Sequence, residues 1–333
     1  MIVVTGAFGF IGVYLVDELR RRGVDVLATA RRREAAAYFS RRGVRFQHLD
    51  ITEEADFDLL PREGVDGVVH LAGLLPANVK DCRPRDYVEA NVLGTLNVLE
   101  YCKKRGVRRV VATTSYADVQ GAWRAAPAVS SDEPRDFELT GDHAMYVITK
   151  NAATDSVLHF DAAQGLQGAV FRLPPVYGFG PHLVIYVDGK LYESGFQVFV
   201  ERAKAGQPIE VWGDPTAVRD VVYVKDVVQG FLKALSSDRS RGVYNVASGK
   251  GVTLEQQARV ISEVFSPADG RRSEIVVRPD KPSNITPYVF DISKATRDFG
   301  YQPAYSFLEM MADYRKEELS GRYNEFIAYR RKP

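Results

Sequence analysis

Thr5-Gly6-Ala7-Phe8-Gly9-Phe10-Ile11-Gly12 follows a short β-branched run, Ile2–Thr5, and opens a stretch with apolar residues three and four apart at Ile11, Leu15, Val16 and Leu19. In that setting of strand, glycine turn and amphipathic helix, each glycine has a task that a side chain would prevent. Gly6 permits the tight turn, Gly9 lets backbone approach a pyrophosphate, and Gly12 lets the helix pack on the strand. The helix start then offers unpaired N–H groups and a partial positive charge to an anion. The stretch reads as a dinucleotide-binding turn, with Phe8, Phe10 and Ile11 completing the cradle.

Outward from the turn, β-branched runs alternate with longer helical patterns. Ile2–Thr5, Val24–Thr29, Arg45–Leu49, Gly67–Leu71, Arg109–Thr114 and Gly168–Arg172 read as strands. Tyr87 to Tyr101 has helical spacing, followed by Lys103, Lys104 and Arg105 in a last turn and Gly106 as a stop. The alternation predicts an α/β fold: a Rossmann doubly wound parallel sheet covered on both faces. Prolines and glycines between Pro174 and Pro181 then break the pattern. Beyond them Val221–Val224 and Val243–Val246 read as strands, and Val227–Leu235 and Leu254–Phe265 as helices. Residues 1–172 are expected to form the dinucleotide-binding domain, joined by about 220–250 from the second half. Residues 173–333 are expected to form mainly a smaller α/β C-terminal substrate lobe.

The bulk numbers exclude several classes. Among 333 residues, 44 Lys plus Arg face 43 Asp plus Glu, so no overall field draws the chain to nucleic acid. No apolar run reaches the roughly 18 residues of a membrane span. Cys82 and Cys102 are too few for a disulfide framework and suit a reducing cytoplasm. A strand entered at Ile2 leaves no room for a signal peptide. His48, His70, His143, His159 and His182 lack paired ligand spacing, so no metal site is expected. The expectation is a soluble cytoplasmic protein that binds neither nucleic acid nor membrane.

The second strand ends Ala28-Thr29-Ala30-Arg31-Arg32-Arg33, with no acid until Glu34. A carboxylate there would hold a free adenosine ribose, whereas guanidinium forks suit a 2′-phosphate. Arg31 and Arg32 therefore favour NADP over NAD, the alternative being a solvated turn. Asp50, after the third strand, is placed to accept from the adenine amino group or to cap the following helix.

Tyr146-Val147-Ile148-Thr149-Lys150 sets a phenol and an ammonium four apart on one helical face. A neighbouring positive charge favours phenolate, lowering a tyrosine pKa from about 10 toward the working pH. The full shift needs about 4 kcal/mol at roughly 1.4 kcal/mol per unit. One screened ammonium does not supply that, so the nicotinamide's own charge has to help, and desolvation opposes both.

With these motifs in place, the chain resembles the extended short-chain dehydrogenase/reductase family, and within it the nucleotide-sugar epimerases and dehydratases. The resemblance takes in the glycine turn, Asp50-Ile51, His70-Leu71-Ala72-Gly73, Asn91-Val92-Leu93-Gly94-Thr95 and Tyr146 through Lys150. It continues through Arg172-Leu173-Pro174-Pro175-Val176-Tyr177-Gly178, the run from Arg219 to Val227, Tyr244 through Gly249, Asp291 through Ala295, and Phe299 through Pro303. It implies that Tyr146 exchanges the proton of a sugar hydroxyl and that Lys150 activates it while holding the nicotinamide ribose. It implies cofactor contacts from Ile51, Leu71, Ala72, Gly73 and Thr113, and from Pro174 and Val176 past the carboxamide. Asn91 resembles the family's asparagine beneath the site. Tyr177 would face the sugar, Arg219 would grip the diphosphate, and Arg278 would be a second such arginine. Family members also suggest a homodimer, through helices near Asn91–Arg105 and Ala144–Gln164.

One stretch departs from the family. A serine or threonine usually follows the fifth strand, but here an ungapped match on Gly121 puts that position on Tyr116, one past Ser115. Either the loop shifts so that Ser115 serves, or a phenol replaces the aliphatic hydroxyl; Ser115 is the favoured candidate, because a tyrosine is long for that pocket. Family dehydratases follow with Asp-Glu, whereas this chain has Ala117-Asp118, so one of two proton-transfer carboxylates is missing and dehydration is disfavoured. Asp118 stays a candidate acid or base, with a turn former as its other reading. His143 could reach the pocket, or cap the helix start. Residues Gly178 to Gly195, with Phe179, Tyr186, Asp188, Lys190 and Tyr192, read as a substrate loop with stacking or packing aromatics. The expected function is an NAD(P)-dependent nucleotide-sugar epimerase acting at C4. A 4-ketoreductase using NADPH is the alternative, ahead of a dehydratase and of a dinucleotide sensor without chemistry.

Overall fold

In a computed structural model of the chain, residues 1–76, 82–124, 128–141, 143–181, 184–187, 190–267, 269–283 and 286–331 are described. Six strands follow the sequence pattern closely: β1 (Ile2–Thr5), β2 (Val26–Ala30), β3 (Arg45–His48), β4 (Gly67–His70), β5 (Arg109–Ser115) and β6 (Gln167–Leu173). With the strand Gly242–Asn245 they form one seven-stranded sheet in the order Gly242–Asn245, β6, β5, β4, β1, β2, β3. Every pairing in it is parallel. The order reverses direction between β1 and β4, and ligands of such sheets bind beyond the carboxyl ends at that point.

Alternation along each strand divides the core. Val3, Val68, Val110 and Val170 point to one face, and Val4, Val69, Val111 and Phe171 to the other. The helix α1 (Phe10–Arg21) and the helix Val224–Ser236 pack together on the second face. The helices Gly94–Arg105 and Ala144–Ala163 pack together on the first. Both faces are covered, which is why the strands are apolar throughout rather than alternating.

Local signals placed several ends correctly. Gly106 takes φ +69° just after Lys103, Lys104 and Arg105, the left-handed conformation that stops a helix. The helical run before it is not uniform, however. After Pro84–Tyr87 it widens into a π-turn over Val88–Leu93 before the regular helix resumes at Gly94. The widened turn buries Asn91, and such turns concentrate at functional sites. The run Val221–Val224 differs from expectation: the strand is Val222–Tyr223, and Val224 already opens the next helix.

In the second half, small strand pairs alternate with helices. Val176–Tyr177 pairs with Val222–Tyr223, Ile209–Trp212 with Ile275–Arg278, and Val218–Asp220 with Gly251–Thr253. Val184–Val187 and Lys190–Glu193 form a hairpin within the expected substrate loop; Asp188 and His182 lie outside the described residues. The C-terminal helix Asn324–Arg331 returns to the glycine turn, where Phe326 meets Phe8 ring to ring at 5.3 Å. Among the described residues no helix is long and apolar enough to cross a membrane.

Phe171 ties the sheet to the helices of the second half. It is fully buried, 4.9 Å from Phe231 and 5.7 Å from Phe299, with near-parallel rings. Phe171→Ala is expected to lower unfolding stability by about 3–5 kcal/mol, read as a fall in the urea midpoint at unchanged m-value.

Candidate active site

The three glycines of the turn are required by contact. Gly6 has φ +67°, and a Cβ there would lie 2.6 Å from the Ala72 nitrogen. A Cβ on Gly12 would lie 2.5 Å from the Gly6 carbonyl oxygen. Gly9 donates its N–H to that carbonyl at 2.9 Å and stands at the start of α1 without a side-chain cap, and the first turn carries no acid. Backbone donors left open at a helix start, with no carboxylate beside them, suit a phosphate. A dinucleotide therefore fits the residues present.

The flanking strand ends supply the rest of the cradle. Leu71 N–H donates to the Thr5 carbonyl at 3.1 Å, and Ala72 N–H reaches Thr5 Oγ1 at 3.4 Å. Gly73 is exposed, and a Cβ on it would lie 2.9 Å from Asn91 Oδ1. Arg31, Arg32 and Arg33 are exposed at the end of β2, and among the described residues they make no ion pair; Arg32 donates to the Tyr329 carbonyl at 3.4 Å. Asp50 accepts the Thr52 N–H at 3.1 Å and its hydroxyl at 2.8 Å, closing a local turn; it does not cap the following helix, which starts after Glu53 without a side-chain cap. Ile51 is buried, and its side chain lies under Gly94.

A buried chain of hydrogen bonds links this turn to the helix Ala144–Ala163. Thr5 Oγ1 meets His70 Nδ1 at 2.7 Å, and His70 Nε2 meets Thr95 Oγ1 at 3.0 Å. Thr95 donates to the Asn91 carbonyl at 2.6 Å, so it accepts from His70 Nε2, and Thr5 donates to Nδ1. Burial and nearby Lys150 push the His70 pKa down to about 3, so the ring is neutral, as that pattern needs. Asn91 Nδ2 donates to Thr149 Oγ1 at 3.1 Å, and Asn91 Oδ1 accepts the Leu74 N–H at 2.7 Å. Thr149 lies between Tyr146 and Lys150 in sequence and donates to the Met145 carbonyl at 2.8 Å.

Tyr146 and Lys150 are both strained electrostatically. Lys150 is buried, and its ammonium makes neither hydrogen bond nor ion pair among the described residues. Burial lowers its pKa to about 8, leaving it mostly protonated at pH 7. Tyr146 moves opposite to the expected activation: burial raises its phenol pKa, and Tyr116, Tyr87 and Asp118 add to the rise. Desolvation therefore decides the direction of the shift.

The departing stretch after β5 comes out as a 3-10 segment, Tyr116–Ala122. Ser115 is buried and its hydroxyl accepts the Ala117 N–H at 3.2 Å. Tyr116 stacks on Trp123 with ring centroids 5.1 Å apart. Asp118 is corrected as a candidate acid or base: it forms a buried two-pronged ion pair with Arg172, at 2.8 and 3.0 Å, both side chains 3% exposed. Its carboxylate is fully engaged, which also removes the one acid left for dehydration. His143 is exposed and makes no capping bond.

On the opposite wall, Tyr177 donates to Gln257 Oε1 at 3.4 Å and packs on Phe196 at 4.3 Å. Pro174 is buried, and Val176 is half-buried in the strand that carries Tyr177. The loop residue Phe179 is packing: it is buried, 5.5 Å from Tyr314, and its carbonyl accepts from Tyr14. Arg219 makes no ion pair among the described residues, and its buried Nε has no hydrogen-bond partner. Its guanidinium lies 6.0 Å from the Tyr288 ring, with Tyr177 and Tyr116 within electrostatic reach. A guanidinium left without a carboxylate in a walled pocket suits an anionic ligand. Arg278 ends the strand Ile275–Arg278, exposed and 3.5 Å from Glu210. Trp123, Tyr288 and Gln257 escape a reading by motif, since only the bridge between Arg219 and Tyr288 and the stacked rings bring them here.

The model of the NAD dependent epimerase/dehydratase family matches residues 2–247. The chain belongs to that family. It is 28% identical to UDP-glucuronic acid decarboxylase 1 of Arabidopsis thaliana, over 96% of this chain and 71% of that one. It superposes on the crystal structure of UDP-glucose 4-epimerase with UDP-glucose from Thermotoga maritima with a TM-score of 0.77 at 26% identity, covering 96% of this chain and 99% of that chain. It also superposes on MoeE5 in complex with UDP-glucuronic acid and NAD, with a TM-score of 0.72 at 26% identity, over 95% and 99% of the two chains.

As an epimerase/dehydratase family member the protein is an NAD(H)-binding enzyme, and its buried lysine has a measurable signature. A lysine whose pKa falls on folding binds more protons when unfolded between about pH 8 and 10.5, so its contribution to stability rises with pH there. Lys150→Met removes that contribution. The variant is expected to be more stable than the parent at pH 7, with the difference shrinking by pH 9.5, as urea midpoints at the two pH values report.

Proposed function

We propose that the protein is a nucleotide-sugar 4-epimerase with Tyr146 as its acid/base. The observation that carries this reading is the buried hydrogen-bonded line from Thr5, at the start of the glycine turn, to Thr149, on the helix between Tyr146 and Lys150. Gly6, Gly9 and Gly12 hold the dinucleotide's phosphates, Leu71 to Gly73, Thr113, Pro174 and Val176 line it, and Lys150 holds its ribose. A nicotinamide bound there would supply the hydride acceptor and donor for the sugar carbon. Tyr146 Oη takes the hydroxyl proton and later gives it back. Lys150 keeps a positive charge beside the helix that carries Tyr146, and the binding of further positive charge offsets the burial that holds the phenol neutral. Arg219 fixes the diphosphate, which leaves the sugar free to turn over between the two transfers. Residues 1–172 with the return segment near 220–250 carry the cofactor, and the remainder carries the nucleotide sugar.

Two finer assignments belong to this reading. Arg31 and Arg32 select NADP, because β2 ends in exposed guanidinium groups without a carboxylate. That preference keeps an NADPH-dependent 4-ketoreductase as the second reading. The protein works in the cytoplasm as a homodimer through the helices Gly94–Arg105 and Ala144–Ala163, beside which Val88 and Leu93 are exposed apolar residues.

A panel of nucleotide sugars tests the function, with products separated by ion exchange and cofactor absorbance followed in parallel. Inversion at C4 without net change in reduced cofactor is expected; stoichiometric consumption of NADPH would favour the reductase. Tyr146→Phe is expected to lower turnover by roughly 10²–10⁴-fold while nucleotide-sugar affinity persists, and full activity in that variant would refute the mechanism. For the cofactor, Arg31→Ala with Arg32→Ala is expected to weaken NADP more than NAD and to flatten the salt dependence of NADP binding. Tighter NAD than NADP binding by the parent at both low and high salt would overturn the assignment.

A further inference from the structure

The segment that carries Tyr116 is clamped at both ends. β5 stays in register with β6 up to Ser115, which sits opposite Leu173, and the Ser115 hydroxyl holds the Ala117 N–H. Asp118 is pinned by Arg172, and its carbonyl accepts the Asp136 N–H at 2.9 Å. Gly121 N–H donates to the Asp136 carbonyl at 2.9 Å, and a Cβ on Gly121 would collide with the Asp136 carboxylate. A one-residue slide that put Ser115 in the place of Tyr116 would break all of these together.

Tyr116 itself is held by its ring. It lies nearly parallel to Trp123, at 7°, and 5.3 Å from Tyr288, whose ring faces the Arg219 guanidinium. None of the hydrogen bonds among the described residues uses its hydroxyl. The 3-10 segment packs against the helix of Tyr146, and both Tyr146 and Arg219 lie within electrostatic reach of the Tyr116 phenol. Buried Thr114 Oγ1, Trp123 Nε1 and Tyr288 Oη have no partner either. Unsatisfied buried polar atoms are costly and rare. Two of them, Trp123 Nε1 and Tyr288 Oη, belong to the rings that pack against Tyr116, so its surroundings keep polar groups uncommitted.

Resting on the sugar oxidation described above, we propose that Tyr116 is a second catalytic phenol, whose hydroxyl donates a hydrogen bond to the oxygen of the reacting carbinol while Tyr146 takes that oxygen's proton. The C–H electron pair leaves as hydride for the nicotinamide, and the O–H pair becomes the second bond of the carbonyl. The proton rests on Tyr146, and Tyr116 keeps its own throughout. A fixed donor aimed at an oxygen that gains charge on the return transfer stabilises that step. Ser115 serves only to cap the loop.

Tyr116→Phe and Ser115→Ala, compared with the parent on a sugar that the parent turns over, test this. The phenylalanine keeps the ring stack, and near-ultraviolet circular dichroism with thermal melting verifies it. Tyr116→Phe is expected to lower kcat roughly 100-fold with little change in KM, and Ser115→Ala to leave kcat near the parent's. Parental kcat in Tyr116→Phe, together with loss of activity in Ser115→Ala, would overturn the proposal. A parent that turns over no sugar would defeat the function and this residue's role with it, whereas an active parent left unaffected by Tyr116→Phe would defeat only the role of Tyr116.

Discussion

The hydrogen-bonded line from Thr5 through His70, Thr95 and Asn91 to Thr149 runs across the middle of the molecule, and the site depends on it. It begins at the last residue of β1, where the glycine turn starts, and ends one turn inside the helix that carries Tyr146 and Lys150. Each member has one proton to give and one lone pair to offer, so the line closes only if His70 is neutral. Burial enforces that. A missing ring would leave the Thr5 hydroxyl without its acceptor, and a charged one would set a second donor against it. The cradle for the phosphates and the helix of the acid/base are thereby set at a fixed separation, with no loop between them to absorb error.

Charge near the candidate site is left uncompensated. Lys150 and Arg219 are cations without carboxylates among the described residues, and Tyr146 is a phenol held neutral by burial. A structure that only needed stability would pair these groups, as it pairs Asp118 with Arg172. In the function proposed above, the compensating charges would come from the ligands, phosphates for Arg219 and a positive ring near the phenol, which would couple activation of Tyr146 to binding.

The Asp118–Arg172 pair shows how a structural interaction steers chemistry. Arg172 ends β6 and also bonds the Ser131 carbonyl at 3.2 Å and Asn245 Oδ1 at 3.0 Å, so it joins two sheet strands to the loop after β5. By holding Asp118 it removes a carboxylate from the proton-transfer repertoire and holds the loop in the register that presents Tyr116. One buried ion pair thus commits the only carboxylate of the Ala117-Asp118 pair and fixes the register of the loop that carries Tyr116.

Local chemistry made much of this legible in the amino-acid order. The glycine turn, the six leading strands, the stop at Gly106 and the spacing of Tyr146 to Lys150 depend on neighbours within a few residues, where periodicity and backbone freedom are decisive. The arginines after β2 and the absence of a nearby acid were readable for the same reason. What remained hidden needed contacts between distant segments. The π-turn that buries Asn91, the engagement of Asp118 by Arg172, the position of Arg278 beside Glu210, and the stacking of Tyr116, Trp123 and Tyr288 all join residues far apart in the chain. The direction of the Tyr146 shift was hidden too, since desolvation depends on everything packed around the ring rather than on the lysine four residues away. Sequence settled the fold and the chemical groups; tertiary packing decided which were free to act, because burial and long-range pairing set charge and availability.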